Sequence, residues 1–235
     1  MNDGTLTALC DDCSTGGEPF FCWLNGGDAA PFDPADEHPR GTVLFNERQA
    51  PRGVYVLREG RVKLYTCSGD ARVLITDIAG PGSVLGLSAV VSGGAHETTA
   101  ETLDACRLAF VAREEFLRLL AANVCALTHA TRQLSRDYRT AHRQASVLGL
   151  SPTAAGKLAC ALLEHPSLDG VRAGRGLKLK LTLTHEEIGQ LIGASRETVT
   201  RLLNDFRRRR LIEVSDETLT VRDRAALEAL ALPRC

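Results

Sequence analysis

The chain of 235 residues has almost no net charge, −1 at neutral pH, so no global excess of either sign marks its partners. A charged and apolar secretory leader is not read at its start, so a reducing cytoplasm is the expected setting and no membrane partner is expected. In that setting the eight cysteines cannot be assumed to form a disulfide framework. A Gly-rich phosphate loop is missing, no strand-helix-strand pattern surrounds Cys10, and no nucleophile stands beside a base, so an enzyme is not expected. A small metal-thiol oxidoreductase is the remote alternative, because a C-x2-C pair also serves redox chemistry.

What is present is densest between Thr184 and Arg210. Thr184 is a good N-cap, and Glu187 stands three residues on, the spacing of a capping box. This predicts a first helix over about residues 185–192. Gly193 then supplies a tight turn, Ser195 a second N-cap, and an amphipathic run continues from Thr198 to Arg210. On a wheel of about 100° per residue, Arg196, Glu197, Thr200 and Arg201 share an arc of roughly 140°. Ile192, Val199, Leu202, Leu203 and Phe206 take the opposite side.

Arginine can donate twice to guanine O6 and N7, and glutamate can accept from cytosine N4, when such a helix enters the major groove. Arg196, Glu197 and Arg201 are therefore the expected base readers, with Thr200, Ser195 and Thr184 completing the candidate DNA-binding set. The plain alternative is a solvated charged face. Against it, residues 175–210 hold nine Lys or Arg and four Asp or Glu, which concentrates positive charge beside the reading helix. The run Arg207 to Arg210 suits phosphate contacts, or equally a helix end whose arginines favour the dipole. Two alternating runs, Leu211 to Val214 and Thr218 to Arg222, predict a two-stranded wing.

Upstream, short β-like runs at residues 54–60, 61–67, 72–80 and 106–112 are separated by turns at Gly60, Gly69 and Gly82, arguing a small antiparallel barrel or roll. Between roll and reader, Val124, Leu127, Thr131, Leu134, Tyr138, Ala141, Ala145 and Leu148 recur at alternating spacings of three and four. That is a heptad stripe, and its length favours a partner subunit in a parallel homodimer. Two-fold symmetry then predicts a pseudo-palindromic operator on double-stranded DNA, with half-sites about one helical turn apart. Leu150, Ser151 and Pro152 form the expected hinge.

The segment EEIGQLIGASRETVTRLL resembles the DNA-binding helices of the Crp/Fnr family of bacterial transcription regulators, closest here to its catabolite-activator branch. The spaced glycines Gly41, Gly60, Gly82 and Gly86 resemble the family's jelly-roll sensor domain. The resemblance implies an α+β chain with a cysteine-bearing arm (1–30), a β jelly-roll sensor domain (31–120), a long dimerisation helix (121–150) and a winged helix-turn-helix domain (151–235). It also implies RNA polymerase as a partner and a half-site like TGTGA.

In cyclic-nucleotide members a glutamate holds the ribose and an arginine and serine hold the phosphate. Here Leu87 stands at the glutamate's place and Thr98 and Thr99 at the pair's, so cyclic AMP is not the expected ligand. The stretch GLSAVVSGG instead looks like the FNR branch. So does the cysteine layout. Cys10 and Cys13 form C-x2-C and Cys22 follows after eight residues, a turn-rich arm able to wrap a metal centre. By resemblance Cys106 supplies the fourth thiol of a 4Fe-4S cluster; Cys67 on a β-run competes for that role, while Cys125 and Cys160 suit burial on helices. FNR-type chains leave five residues where this one leaves eight, so zinc or a metal-free thiol switch stay open as alternatives. No histidine shows a haem-attachment pattern; His129 and His142 are expected to be solvated on the dimer helix, and His185 stands where a phosphate contact or plain exposure would both fit.

Overall fold

The computed structural model describes residues 36–164, 170–173, 176–180, 183–215 and 218–231. By contacts the chain divides into two units, 1–66 with 78–139, and 67–77 with 140–235.

The strands before the long helix are β1 (Asp36–His38), β2 (Val43–Phe45), β3 (Gly53–Glu59), β4 (Val62–Cys67), β5 (Val73–Ala79), β6 (Val84–Leu85), β7 (Thr99–Thr102) and β8 (Cys106–Ala112), which fall in the first unit except for most of β5 and the end of β4. One sheet orders β1-β8-β3-β6 and another β2-β7-β4-β5, the non-sequential neighbours expected of a roll. Helix α1 (Leu87–Ser92) follows β6, and α2 (Arg113–Ala122) follows β8. Two apolar clusters fill the unit. Val54, Val56, Val84, Val111 and Phe116 lead the first, and Phe45, Leu57, Val62, Ala100 and Leu108 the second. Phe116 alone, at 1 % exposure, contributes about 2–3 kcal/mol of burial.

Helix α3 (Val124–Leu150) is 27 residues long. Within the first unit its inner face, Ala126, His129, Ala130 and Gln133, is buried, and Ala126 and Ala130 pack in the cluster of Phe116. The expectation that His129 is solvated is thereby corrected: the same 3-and-4 spacing carries a second, inward stripe, and His129 lies on it at 8 % exposure. Burial, then the charges of Arg132 and Arg136, lower its proton affinity.

The second unit holds α4 (Ala154–Glu164), α5 (His185–Ile192), α6 (Arg196–Arg208) and α7 (Arg224–Leu230). Its sheet orders β11 (Ile212–Ser215), β12 (Thr218–Val221), β10 (Gly176–Lys180) and β9 (Gly170–Ala173), all antiparallel. The expected two-stranded wing is thus half of a four-stranded sheet. Leu158, Leu162, Ile188, Leu191, Val199, Phe206 and Leu219 are buried in this unit. No described helix is long and apolar enough to cross a membrane.

Candidate functional site

Helices α5 and α6 start and stop where local chemistry demands. Thr184 accepts from the Glu187 amide at 3.2 Å while Glu187 Oε2 accepts from the Thr184 amide at 2.7 Å, closing the capping box. The Thr184 hydroxyl donates to the same carboxylate at 2.9 Å, so this candidate's proton is spent on the cap. Gly193 ends α5 with φ +64°, and Gly189 lets the turn close: a Cβ there would lie 2.6 Å from the Ala194 carbonyl oxygen. Ser195 Oγ accepts from the Thr198 amide at 3.2 Å and starts α6.

On α6, Val199, Leu203 and Phe206 are buried against the unit, which leaves the other face to solvent. Arg196, Glu197, Thr200, Arg201, Asn204 and Arg208 line one open hollow along that face. Among the described residues no ion pair involves Arg196 or Arg201, so both guanidinium forks are available to a ligand. The backbone amide at Glu197 and the Ser195 hydroxyl hold the Glu197 carboxyl below its ordinary proton affinity, so it stays an acceptor at neutral pH. In the run that ends the helix, Arg208 and Arg209 both reach Asp205, at 3.1 and 3.6 Å, in exposed pairs worth little in stability. Sequence reasoning missed two neighbours of this face, Asn204 and the contact of His185 Nδ1 with Thr200 Oγ1 at 2.8 Å.

Along α3, six members of the heptad stripe, Val124, Leu127, Thr131, Tyr138, Ala141 and Ala145, are exposed; Leu134 and Leu148 are half-buried. Val124 and Tyr138 are 70 % and 71 % exposed, unusual for large apolar side chains in a long helix.

In the roll, Leu87 is buried among Val54, Val90 and Phe116, and Thr99 Oγ1 accepts from the Glu47 amide at 3.0 Å. At the positions the resemblance aligns with the ribose and phosphate contacts stand a buried apolar side chain and a neutral hydroxyl. His96, at 4 % exposure, stacks on Phe45 with ring centroids 3.9 Å apart, and burial pushes its proton affinity down.

The arm cysteines Cys10, Cys13 and Cys22 lie outside the described residues. Cys106 faces His38 across the β1–β8 pair, the first strand after the arm. It is 1 % exposed; its Sγ donates to the carbonyls of Arg61 and Asp104 at 3.3 and 3.4 Å, and burial pushes the thiol's pKa up. Arg61 and Asp104 are tied by a two-pronged ion pair of 2.6 and 3.0 Å. As placed, this thiol is a small buried hydrogen-bond donor. Cys67 is exposed, Cys160 buried and Cys125 half-buried. Among the described residues no three His, Cys, Asp or Glu side chains gather as a metal site.

Residues 156–230 match the Crp-like helix-turn-helix domain and residues 36–123 the cyclic nucleotide-binding domain. The chain is 28 % identical over 187 residues to a CRP-like cAMP-activated global transcriptional regulator of Mycobacterium tuberculosis, covering 80 % of this chain and 83 % of that one. It is 25 % identical over 238 residues to the fumarate and nitrate reduction regulatory protein of Vibrio cholerae, covering 98 % and 93 %. In fold it is similar to FixK2 from Bradyrhizobium japonicum, with a TM-score of 0.72, 24 % identity, and 86 % and 99 % of the two chains covered.

Proposed function

The chain belongs to the Crp/Fnr family of DNA-binding transcription regulators, and on that premise we propose that it works in the cytoplasm as a homodimer reading a pseudo-palindromic operator through Arg196, Glu197, Thr200 and Arg201. The observation that carries the reading is the open face of α6, where two unpaired arginines and an ionised glutamate stand side by side. Ser195 and Thr184 act through their caps, fixing where the two helices begin. RNA polymerase is the partner the family implies. Selection of duplexes from a random pool tests the reading: an enriched inverted repeat with a TGTGA-like half-site is expected, and no enriched sequence would sink it.

The signal we assign to the arm. Cys10, Cys13 and Cys22 supply three thiols, and a fourth would complete a 4Fe-4S cluster whose chemistry is sensitivity to oxygen or nitric oxide. Cys67 is exposed as it stands, whereas Cys106 would have to give up its proton and leave the carbonyls of Arg61 and Asp104. The cysteine layout and the likeness to the Vibrio cholerae regulator support this reading; the buried state of Cys106 makes Cys67 the rival for the fourth thiol, and zinc remains the rival metal. An anaerobic absorption spectrum with iron, sulfide and zinc analysis, before and after air, distinguishes them. About four irons and four sulfides per chain with an air-labile band are expected; zinc, or no metal, overturns the cluster and leaves the DNA reading intact.

A further inference from the structure

Thr200 sits on the reading face with two partners inside the protein. Its hydroxyl donates to the Arg196 carbonyl at 3.0 Å, one turn back in α6. Its oxygen also lies 2.8 Å from Nδ1 of His185, the first residue of α5. A threonine in a helix divides between two χ1 wells, because its oxygen can bond back to the preceding turn in one of them. A bond from another helix to that same oxygen selects the well.

The proton bookkeeping has one outcome. If Nδ1 carries a hydrogen, it donates to Thr200 and the hydroxyl donates to Arg196. If Nδ1 is bare, the hydroxyl has the ring nitrogen and the carbonyl as acceptors. In both cases the hydroxyl proton stays within the protein. Toward the hollow lined by Arg196, Glu197, Arg201 and Asn204, Thr200 offers an acceptor and a methyl group, never a donor.

We propose that His185 is a positioning residue for sequence reading: it fixes the rotamer of Thr200 so that the base this side chain faces in the major groove is one that presents an amino group or a methyl, and not guanine. Adenine N6, cytosine N4 and the thymine C5-methyl meet that requirement, and guanine O6 and N7 do not. The inference rests on the proposed DNA reading. It assigns His185 a task in which the ring never touches the base.

The test uses the full-length protein and duplexes selected by it from a random pool, followed by competition with every single base-pair variant of the enriched half-site. His185→Ala is expected to relax the preference at one base pair per half-site by about three- to tenfold, the worth of one ordinary hydrogen bond. His185→Asn places an amide near the position of Nδ1 and is expected to restore most of that preference. Thr200→Val keeps the shape, removes the oxygen and is expected to lose the preference at the same base pair, with no further loss when combined with His185→Ala. A uniform drop across all positions in His185→Ala, or an unchanged profile, overturns the proposal. Absence of any sequence enriched by the wild-type protein is a different result: it overturns the DNA reading, and this inference with it.

Discussion

The side-chain amide of Gln133 closes a ring of two hydrogen bonds with the backbone of Val84: Oε1 accepts from the Val84 amide at 2.9 Å, and Nε2 donates to its carbonyl at 2.8 Å. β6 is the last strand of its sheet, so its outward peptide groups have no strand to pair with. Gln133 supplies the missing partner from the inner face of α3. Replacing it with leucine leaves a buried donor and acceptor unpaired. Gln133→Leu is expected to cost about 2–4 kcal/mol, read as a lower urea midpoint with the slope unchanged; an unchanged midpoint refutes the ring.

Arg196→Ala and Arg201→Ala are each expected to weaken operator binding by about 1–3 kcal/mol and to relax sequence preference at one position. Arg207→Ala, at the exposed helix end, is expected to weaken all duplexes alike and to reduce the salt slope of binding by about one. Titrations of matched and mismatched duplexes at several salt concentrations separate the two behaviours, and the same response from all three variants would refute the assignment.

Much of this reader was legible in the sequence because its signals are local. Thr184 with Glu187, Gly193 and Ser195 each act within four residues, and α5 runs from His185 to Ile192 as the capping pattern predicts. The heptad was visible for the same reason, as a period along one helix. What escaped were relations set by tertiary packing. Gln133 meets a strand 49 positions away, and His185 meets the next helix. A hint existed for the first: Ala126, His129, Ala130 and Gln133 have helical spacing on a face next to the stripe. The pairing of β10 with β12 was hidden because nothing in either short run names its neighbour. The burial of Cys106 escaped too, since a thiol reads alike as ligand or as small apolar residue.

Thiol accessibility should follow position. Under native conditions Cys67 is expected to react with iodoacetamide within minutes, and Cys106 only through local opening, because it is buried and its thiolate is disfavoured. Peptide mapping after timed alkylation of reduced, metal-free protein measures this. Comparable rates at both sites would contradict the burial of Cys106.

His96 and His129 both have lowered proton affinity in the fold, chiefly through burial. A histidine depressed in the native state binds more protons when unfolded, so stability rises with pH and falls below the unfolded value of about 6.5. The protein is expected to lose stability between about pH 7 and pH 5, and His96→Gln to lose less over that window. Denaturation midpoints at the two pH values decide; equal pH dependence in wild type and variant would show that His96 is not a source.

Leu127→Asp places a charge in the exposed stripe of α3 without disturbing its buried face. Sedimentation is expected to show a shift from dimer to monomer, and operator affinity to fall more than about tenfold as two-site binding is lost. A dimer that persists would move the interface elsewhere.

In the proposed homodimer, pairing through the exposed stripe on α3 would also make the quantity of protein an input in its own right. Where subunits pair only through surfaces that each leaves uncovered, occupancy of a two-part operator climbs with the square of concentration until pairing saturates. Doubling synthesis then approaches a fourfold response at low abundance, and a modest change in expression acts as a switch before any chemical signal arrives.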